Sequence, residues 1–152
     1  MRIQLTVRGD PVPQGSMSAF APKGWTRAVI TSANPKLKKW RKLVRDEAVK
    51  VMDWRHPAGK NIALSVTLSF FIQKAKSNRQ FDCVKKPDLD KLVRGILDSL
   101  TKVIFDDDSQ VVEIHATKEY GEPRVEIAVE EVGLVPVKVK HQPIKDADLP
   151  FS

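Results

Sequence analysis

The 152-residue chain has a single cysteine, Cys83, three histidines that stand far apart, and no apolar run approaching the ~18 residues of a membrane span. With one thiol there is no internal disulfide, and a cysteine-based zinc site lacks ligands; a reducing cytoplasm fits this usage. From Ile3 to Arg8 the N-terminus alternates in polarity and offers no unbroken apolar stretch ahead of a cleavage site, so no secretory signal is expected. Internal repeats are also missing. Acid is the minority sign: 19 Asp and Glu face 26 Lys and Arg, a balance of 26 − 19 = +7. A basic surface attracts polyanions through its long-range field and gains free energy as phosphate counterions are released. Nucleic acid therefore becomes the partner to look for, and a membrane does not. A chain of this length buries roughly 70% of its extended surface, enough for one core and little more.

Ile3, Leu5 and Val7 alternate with polar residues, the period of a strand with one buried face. Two prolines and a glycine within residues 10–16 end it, and residues 27–31 read as a further short strand. Asn34-Pro35 is a helix start, since Asn caps free N–H groups and Pro is preset for the first turn. That helix is expected to run to about Met52, with Leu37, Trp40, Val44, Ala48 and Val51 as its apolar stripe. Its first half carries Lys36, Lys38, Lys39, Arg41, Lys42 and Arg45, which fit either a solvated face or a phosphate-facing one. Ile62, Leu64, Val66, Leu68 and Phe70 then mark the clearest strand. Residues 73–86, with Lys74, Lys76, Arg79, Lys85 and Lys86, read as an exposed, mobile loop.

A second helix opens at Pro87-Asp88, with Leu89, Leu92, Val93, Ile96 and Leu100 as its buried stripe. Gly95 weakens it by roughly 1 kcal/mol relative to alanine, which points to close packing or to tolerance. Beyond it, Val112, Ile114 and Ala116 and then Val125, Ile127 and Val129 suggest a hairpin joined through residues 120–123. The expectation is an α+β fold, a mixed α/β layer in the order β-α-β-α-β-β. It occupies residues 1–132, with a tail over 133–152 that is flexible or docked on a neighbour.

The informative segment is Lys85-Lys86-Pro87-Asp88-Leu89-Asp90-Lys91-Leu92-Val93-Arg94, followed by Asp106-Asp107-Asp108. A hard divalent cation takes carboxylate oxygens and waters, and phosphodiester hydrolysis uses such a cation to orient water and neutralise charge on phosphate. Inside a regular helix, positions 88 and 90 are turned about 200° apart. At a helix entrance, where Asp88 is still non-helical, both side chains can converge on one ion. Arg94, four residues after Asp90, shares its face and can pair with it or reach a phosphate. Taken singly, each has a structural role: Asp88 as an N-cap, Asp90 with Arg94 as an ion pair, residues 106–108 as a polar turn. Placing several carboxylates among Lys85, Lys86 and Lys91 makes more sense where a cation and a polyanion meet. Asp98 is expected to face solvent, and Asp82 to lie in the loop.

The runs Lys86-Pro87-Asp88-Leu89-Asp90-Lys91-Leu92, Ile96-Leu97-Asp98-Ser99-Leu100 and Asp107-Asp108-Ser109-Gln110-Val111 resemble the signature of the RusA family of Holliday-junction resolvases. The similarity extends from Gly9-Asp10-Pro11-Val12-Pro13-Gln14-Gly15 to about Glu131. It implies a small homodimeric endonuclease, of phage or prophage origin and active in the cytoplasm of a bacterial host. Such an enzyme depends on Mg²⁺, with Mn²⁺ able to substitute, and cuts four-way DNA junctions by paired symmetric nicks through metal-activated water. Carried over, the family's metal-binding aspartates are Asp88, Asp90 and Asp108, with Asp107 adjacent, and the family's catalytic lysine falls at Arg94. Arginine keeps the charge but cannot donate a proton at neutral pH, so its role becomes phosphate clamping. Lys36, Lys38, Lys39, Arg41, Lys42, Lys74, Lys76, Arg79, Lys85, Lys86 and Lys91 would hold the DNA. Two alternatives stay open: a non-catalytic protein that binds branched DNA, and a nuclease of the same chemistry acting on forks or flaps.

Overall fold

The computed structural model describes residues 1–133 except 16, 22, 28 and 33, and the backbone alone over 17–20 and 29–32. The expected tail therefore lies, past Gly133, outside the described residues. In chain order the elements are β1 (Arg2–Arg8), β2 (Met17–Phe20), β3 (Val29–Ser32), α1 (Pro35–Met52), β4 (Leu64–Ile72), α2 (Leu89–Leu100), a 3-10 turn (Asp108–Gln110), β5 (Val111–Tyr120) and β6 (Arg124–Glu131). The result is a mixed α+β fold, a four-stranded sheet with two helices, to which β2 and β3 add a separate antiparallel pair.

Alternation sets the inward face. Ile3, Leu5 and Val7 of β1, Leu64, Val66, Leu68 and Phe70 of β4, and Val125, Ile127 and Val129 of β6 are all buried. Both helices cover that face. Asn34 caps α1 by accepting from the Lys36 N–H at 3.0 Å, and Leu37, Trp40, Val44, Ala48 and Met52 form its buried stripe. On α2, Leu92, Ile96 and Leu100 are fully buried. The opposite face of the sheet is polar and charged: Gln4, Thr6, Thr67, Ser69 and Glu126 line a shallow opening of about 530 Å³, and ion pairs join Arg2 to Glu130 across β1 and β6 and Arg124 to Glu126 along β6.

The expected hairpin is corrected. β5 and β6 do not pair with each other; β4 lies between them, parallel to β5 and antiparallel to β6, in the order β1-β6-β4-β5. Burial explains the choice. Four alternate residues of β4 are completely buried, whereas β5 sets Ile114, Ala116, Lys118 and Tyr120 in register with β4 and its side chains are nowhere fully covered. The strand with most to hide takes the centre. The short connection is long enough: two strands flanking a third lie about 9.6 Å apart, within the roughly 13 Å that four extended steps reach. It passes over the end of β4, where the Gly121 N–H donates to the Ile72 carbonyl at 3.0 Å.

Candidate active site

Three pieces of chain pack along α2. The first is residues 73–88, which enter the helix through a cis Lys86–Pro87 peptide. Most of this loop is exposed, yet it is tied down: Asn78 Nδ2 donates to the Tyr120 hydroxyl at 2.7 Å, and Lys118 Nζ donates to the carbonyls of Lys85 (2.7 Å) and Pro87 (2.8 Å). Cys83 is buried beneath it. The second piece is the turn at 107–110, a capping box. The Asp107 side chain accepts from the Ser109 N–H at 2.9 Å, and Gln110 Oε1 accepts from the Asp107 N–H at 2.9 Å. Gln110, only 5% exposed, donates in turn to the carbonyls of Ala58, Gly59 and Ile62 at 3.2, 2.8 and 3.1 Å. One buried amide thus fastens the acidic turn to the segment before β4.

The third piece is the loop after β1. The Gln14 N–H donates to the Lys91 carbonyl at 3.0 Å, and Gln14 Nε2 donates to Asp98 Oδ2. Gly95 permits this approach, since a Cβ there would stand 3.5 Å from the Val12 carbonyl oxygen and 3.7 Å from Gln14 Cβ. Close packing, rather than tolerance, accounts for this glycine.

The side chains fall into neighbouring openings. Asp90, Val93, Arg94, Leu97, Asp98 and Asp108 line one of about 280 Å³, and Arg41, Asp98, Thr101, Asp107 and Asp108 line another of similar size. Asp88 lies apart, in an opening of about 410 Å³ with Pro13, Gly15, Asn34, Lys86, Pro87 and Lys91. Although Asp88 stands at the N-cap of α2, its side chain makes no capping bond and pairs with Lys91 at 3.1 Å instead. Lys91 beside it holds the Asp88 carboxyl below the usual carboxylate range. The Asp107 carboxyl is also low, through the hydrogen bond from the Ser109 backbone. Asp108 goes the other way, raised first by desolvation and then by its neighbours Asp107 and Asp98. Among the described residues no ion pair joins Asp90 to Arg94, which leaves the guanidinium exposed to a ligand.

Asp98 is thereby corrected: it is half-buried, bonded to Gln14 and shared by two openings, not a solvent-facing residue. Its spacing, eight residues after Asp90 and four after Arg94, puts it on their helix face and was the available signal. Gln14 and Gln110 were assigned no role from sequence, although both stand inside the motifs that carry the family resemblance, which was the signal available for them. Of the basic residues, Lys36, Lys38, Lys39 and Lys42 are exposed on α1, and Arg41 reaches the acidic opening. Lys76, Arg79, Lys85 and Lys86 are exposed on the loop, while Lys74 stands 5.5 Å from the Tyr120 ring. Trp40 is core, at 4% exposure, and Trp25 and Trp54 are exposed.

A family model described as endodeoxyribonuclease RusA matches residues 9–130, most of the chain. The chain belongs to the RusA family. Among its RusA-like relatives, the Lactococcus phage r1t protein named crossover junction endodeoxyribonuclease rusA is 36% identical over 76 residues, 48% of this chain and 58% of that one. Protein YqaN of Bacillus subtilis (strain 168) is 28% identical over 137 residues, covering 86% of this chain and 96% of YqaN. The RusA match begins at Gly9 and so takes in the Gln14 loop together with α2 and the acidic turn, the three pieces that build the site. Membership makes the chain a nuclease by family, and none of its helices, among the described residues, is long and apolar enough to cross a membrane.

The donor set suits a hard divalent cation, since Asp90, Asp98 and Asp108 border one opening and the carboxylates Asp107 and Asp98 crowd Asp108. Among the described residues no three such side chains yet converge at ligand distance. Mg²⁺ asks for less, because it keeps several waters and is usually held by one or two carboxylates.

Proposed function

We propose that this chain is a divalent-metal-dependent endodeoxyribonuclease that cuts four-way DNA junctions by paired symmetric nicks, as a homodimer in the cytoplasm of a bacterial host. The supporting observation is that Asp90, Arg94 and Asp108 border one opening, flanked by the basic face of α1 and the basic loop, in a RusA-family chain.

In this reading Asp90 and Asp108, with Asp107 beside them, would hold Mg²⁺, or Mn²⁺ in its place, and Asp88, now paired with Lys91, would be available to it where phosphate takes that lysine. The cation would supply charge neutralisation at the scissile phosphate and a lowered pKa for the attacking water. Arg94, charged at every working pH, donates to the phosphate oxygens and stabilises their charge as it builds, without giving up a proton. Lys36, Lys38, Lys39, Arg41, Lys42, Lys74, Lys76, Arg79, Lys85 and Lys86 grip flanking phosphates, which makes affinity fall steeply with salt.

Two nicks related by symmetry need two copies of this single site. The free edge of β5 offers a surface for the second copy, since Val112 and Ile114 are 64% and 46% exposed there. The other edge, β1, is guarded by the exposed Arg2 and Arg8.

The test is cleavage of an end-labelled synthetic four-way junction beside linear duplex, fork and flap, with Mg²⁺ and with EDTA. Paired nicks on the junction that require Mg²⁺ are expected. Junction binding without cutting under any divalent metal would overturn the nuclease reading, and equal cutting of forks or flaps would overturn the junction preference.

A further inference from the structure

We propose that Asp98, clamped by the side-chain amide of Gln14, is a third working carboxylate of the cation site, and that Gln14 is its positioning residue. The inference rests on the proposed metal-dependent reading and adds two residues to it.

Asp98 borders both acidic openings, facing Asp90 and Arg94 in one and Arg41 and Asp107 in the other, with Asp108 in common. With Asp108 it is one of two carboxylates that border both openings. Along α2, Asp90, Arg94 and Asp98 follow at steps of four, so the helix presents acid, base and acid in a row. Nothing on α2 itself holds Asp98 in place; the hydrogen bond comes from the far end of the sequence, 84 residues away.

The loop that delivers it is built for that contact. Residues 12–14 lie along one ridge of α2, touching Lys91 through a main-chain hydrogen bond, Gly95 through van der Waals contact, and Asp98 through the amide. Only the Nε2 end of the amide can donate to a carboxylate, so the orientation of Gln14 follows from its partner. That orientation has a cost, because Gln14 Oε1 is shut away from solvent with no hydrogen-bond partner. A buried acceptor left unmet is expensive, and a fold retains one where the opposite end of the group has a task. Here the task is to fix one oxygen, Oδ2, of a carboxylate that borders both acidic openings. Ligating carboxylates are characteristically oriented by a hydrogen bond of this kind, and losing such a partner costs 10–100-fold in metal affinity or activity.

Asp98→Asn keeps the shape and still accepts from Gln14, while removing the charge; Gln14→Met keeps the bulk and removes the donor. Each is compared with the parent by titrating Mn²⁺ into DNA-free protein in a calorimeter, and by junction cleavage across a Mg²⁺ series. For Asp98→Asn, Mn²⁺ affinity is expected to fall at least tenfold and cleavage to be lost, with the melting temperature held and junction binding in EDTA intact. For Gln14→Met, the Mg²⁺ concentration giving half-maximal rate is expected to rise about tenfold, while the rate at saturating Mg²⁺ stays within a few-fold of the parent. A merely structural Gln14 would lower stability without moving the Mg²⁺ requirement, and that result would overturn its role. Parent-like Mn²⁺ affinity in Asp98→Asn, alongside loss in Asp90→Asn and Asp108→Asn, would overturn the inference about Asp98 alone. Parent-like affinity in all three would overturn the cation site itself.

Discussion

Arg94 stands where the family resemblance implies a catalytic lysine. A guanidinium cannot shuttle a proton at neutral pH, so in the proposed reading its contribution is electrostatic and geometric. Removing one preorganised donor that faces developing charge costs about 10²–10³-fold in rate. Arg94→Ala is therefore expected to slow single-turnover junction cleavage by about that factor at saturating enzyme, while Arg94→Lys recovers most of it. Because Arg94 is exposed and lies outside the buried stripe of α2, neither change should move the melting temperature appreciably. A loss in Arg94→Ala that Lys fails to relieve would mean that the bidentate fork, rather than charge, is what the phosphate needs.

At the scale of elements, the acidic turn matters more for where it is held than for what it is. Asp107 and Asp108 sit on a turn of three residues, too short to fix itself, and Gln110 anchors it by one accepted and three donated hydrogen bonds. Truncating that side chain removes two N–H donors shared among three carbonyls, of which Ala58 and Gly59 keep backbone donors from Asp106 and Ile62, and the one acceptor of the Asp107 N–H: three hydrogen bonds at roughly 1 kcal/mol each. Gln110→Ala is accordingly expected to lower unfolding free energy by about 3 kcal/mol, read as a shifted urea midpoint. Cleavage should fall beyond what the folded fraction explains, since the turn carrying Asp108 is released. An unchanged midpoint would show that the 58–62 segment is held by other contacts.

At the scale of the whole molecule, the proposed paired nicking requires two copies of the single site to face one junction. In the proposed homodimer the β5 edge, with Val112 and Ile114 partly bare, would be the surface of self-association, and a two-fold axis beside it would pair each strand with its own copy. Ile114→Asp places a charge at that axis against its symmetry mate. The variant is expected to sediment as a monomer at micromolar concentration and to give single, uncoupled nicks. Its fold should survive, because Ile114 is 46% exposed in the single chain. A dimer that persists in Ile114→Asp would move the interface elsewhere.

Much was legible in the residue order because it obeys local rules. Asn34-Pro35 started α1, the 3.6-residue stripes chose the buried faces of both helices, and the period of two marked β1, β4 and β6; the spaced aspartates among lysines pointed to the stretch of chain on which the proposed site is built. Those signals act within a few residues, which is why one chain displays them. Only the tertiary structure decided the rest. β4 displaced the expected hairpin because burial is a competition among all strands, not a property of two neighbours. Asp88 turned to Lys91 and away from Asp90 because an adjacent ammonium outbid the backbone N–H groups it was expected to cap. Asp98 became part of the site because Gln14 reaches it across 84 residues of chain, and a contact of that range leaves no periodicity to read.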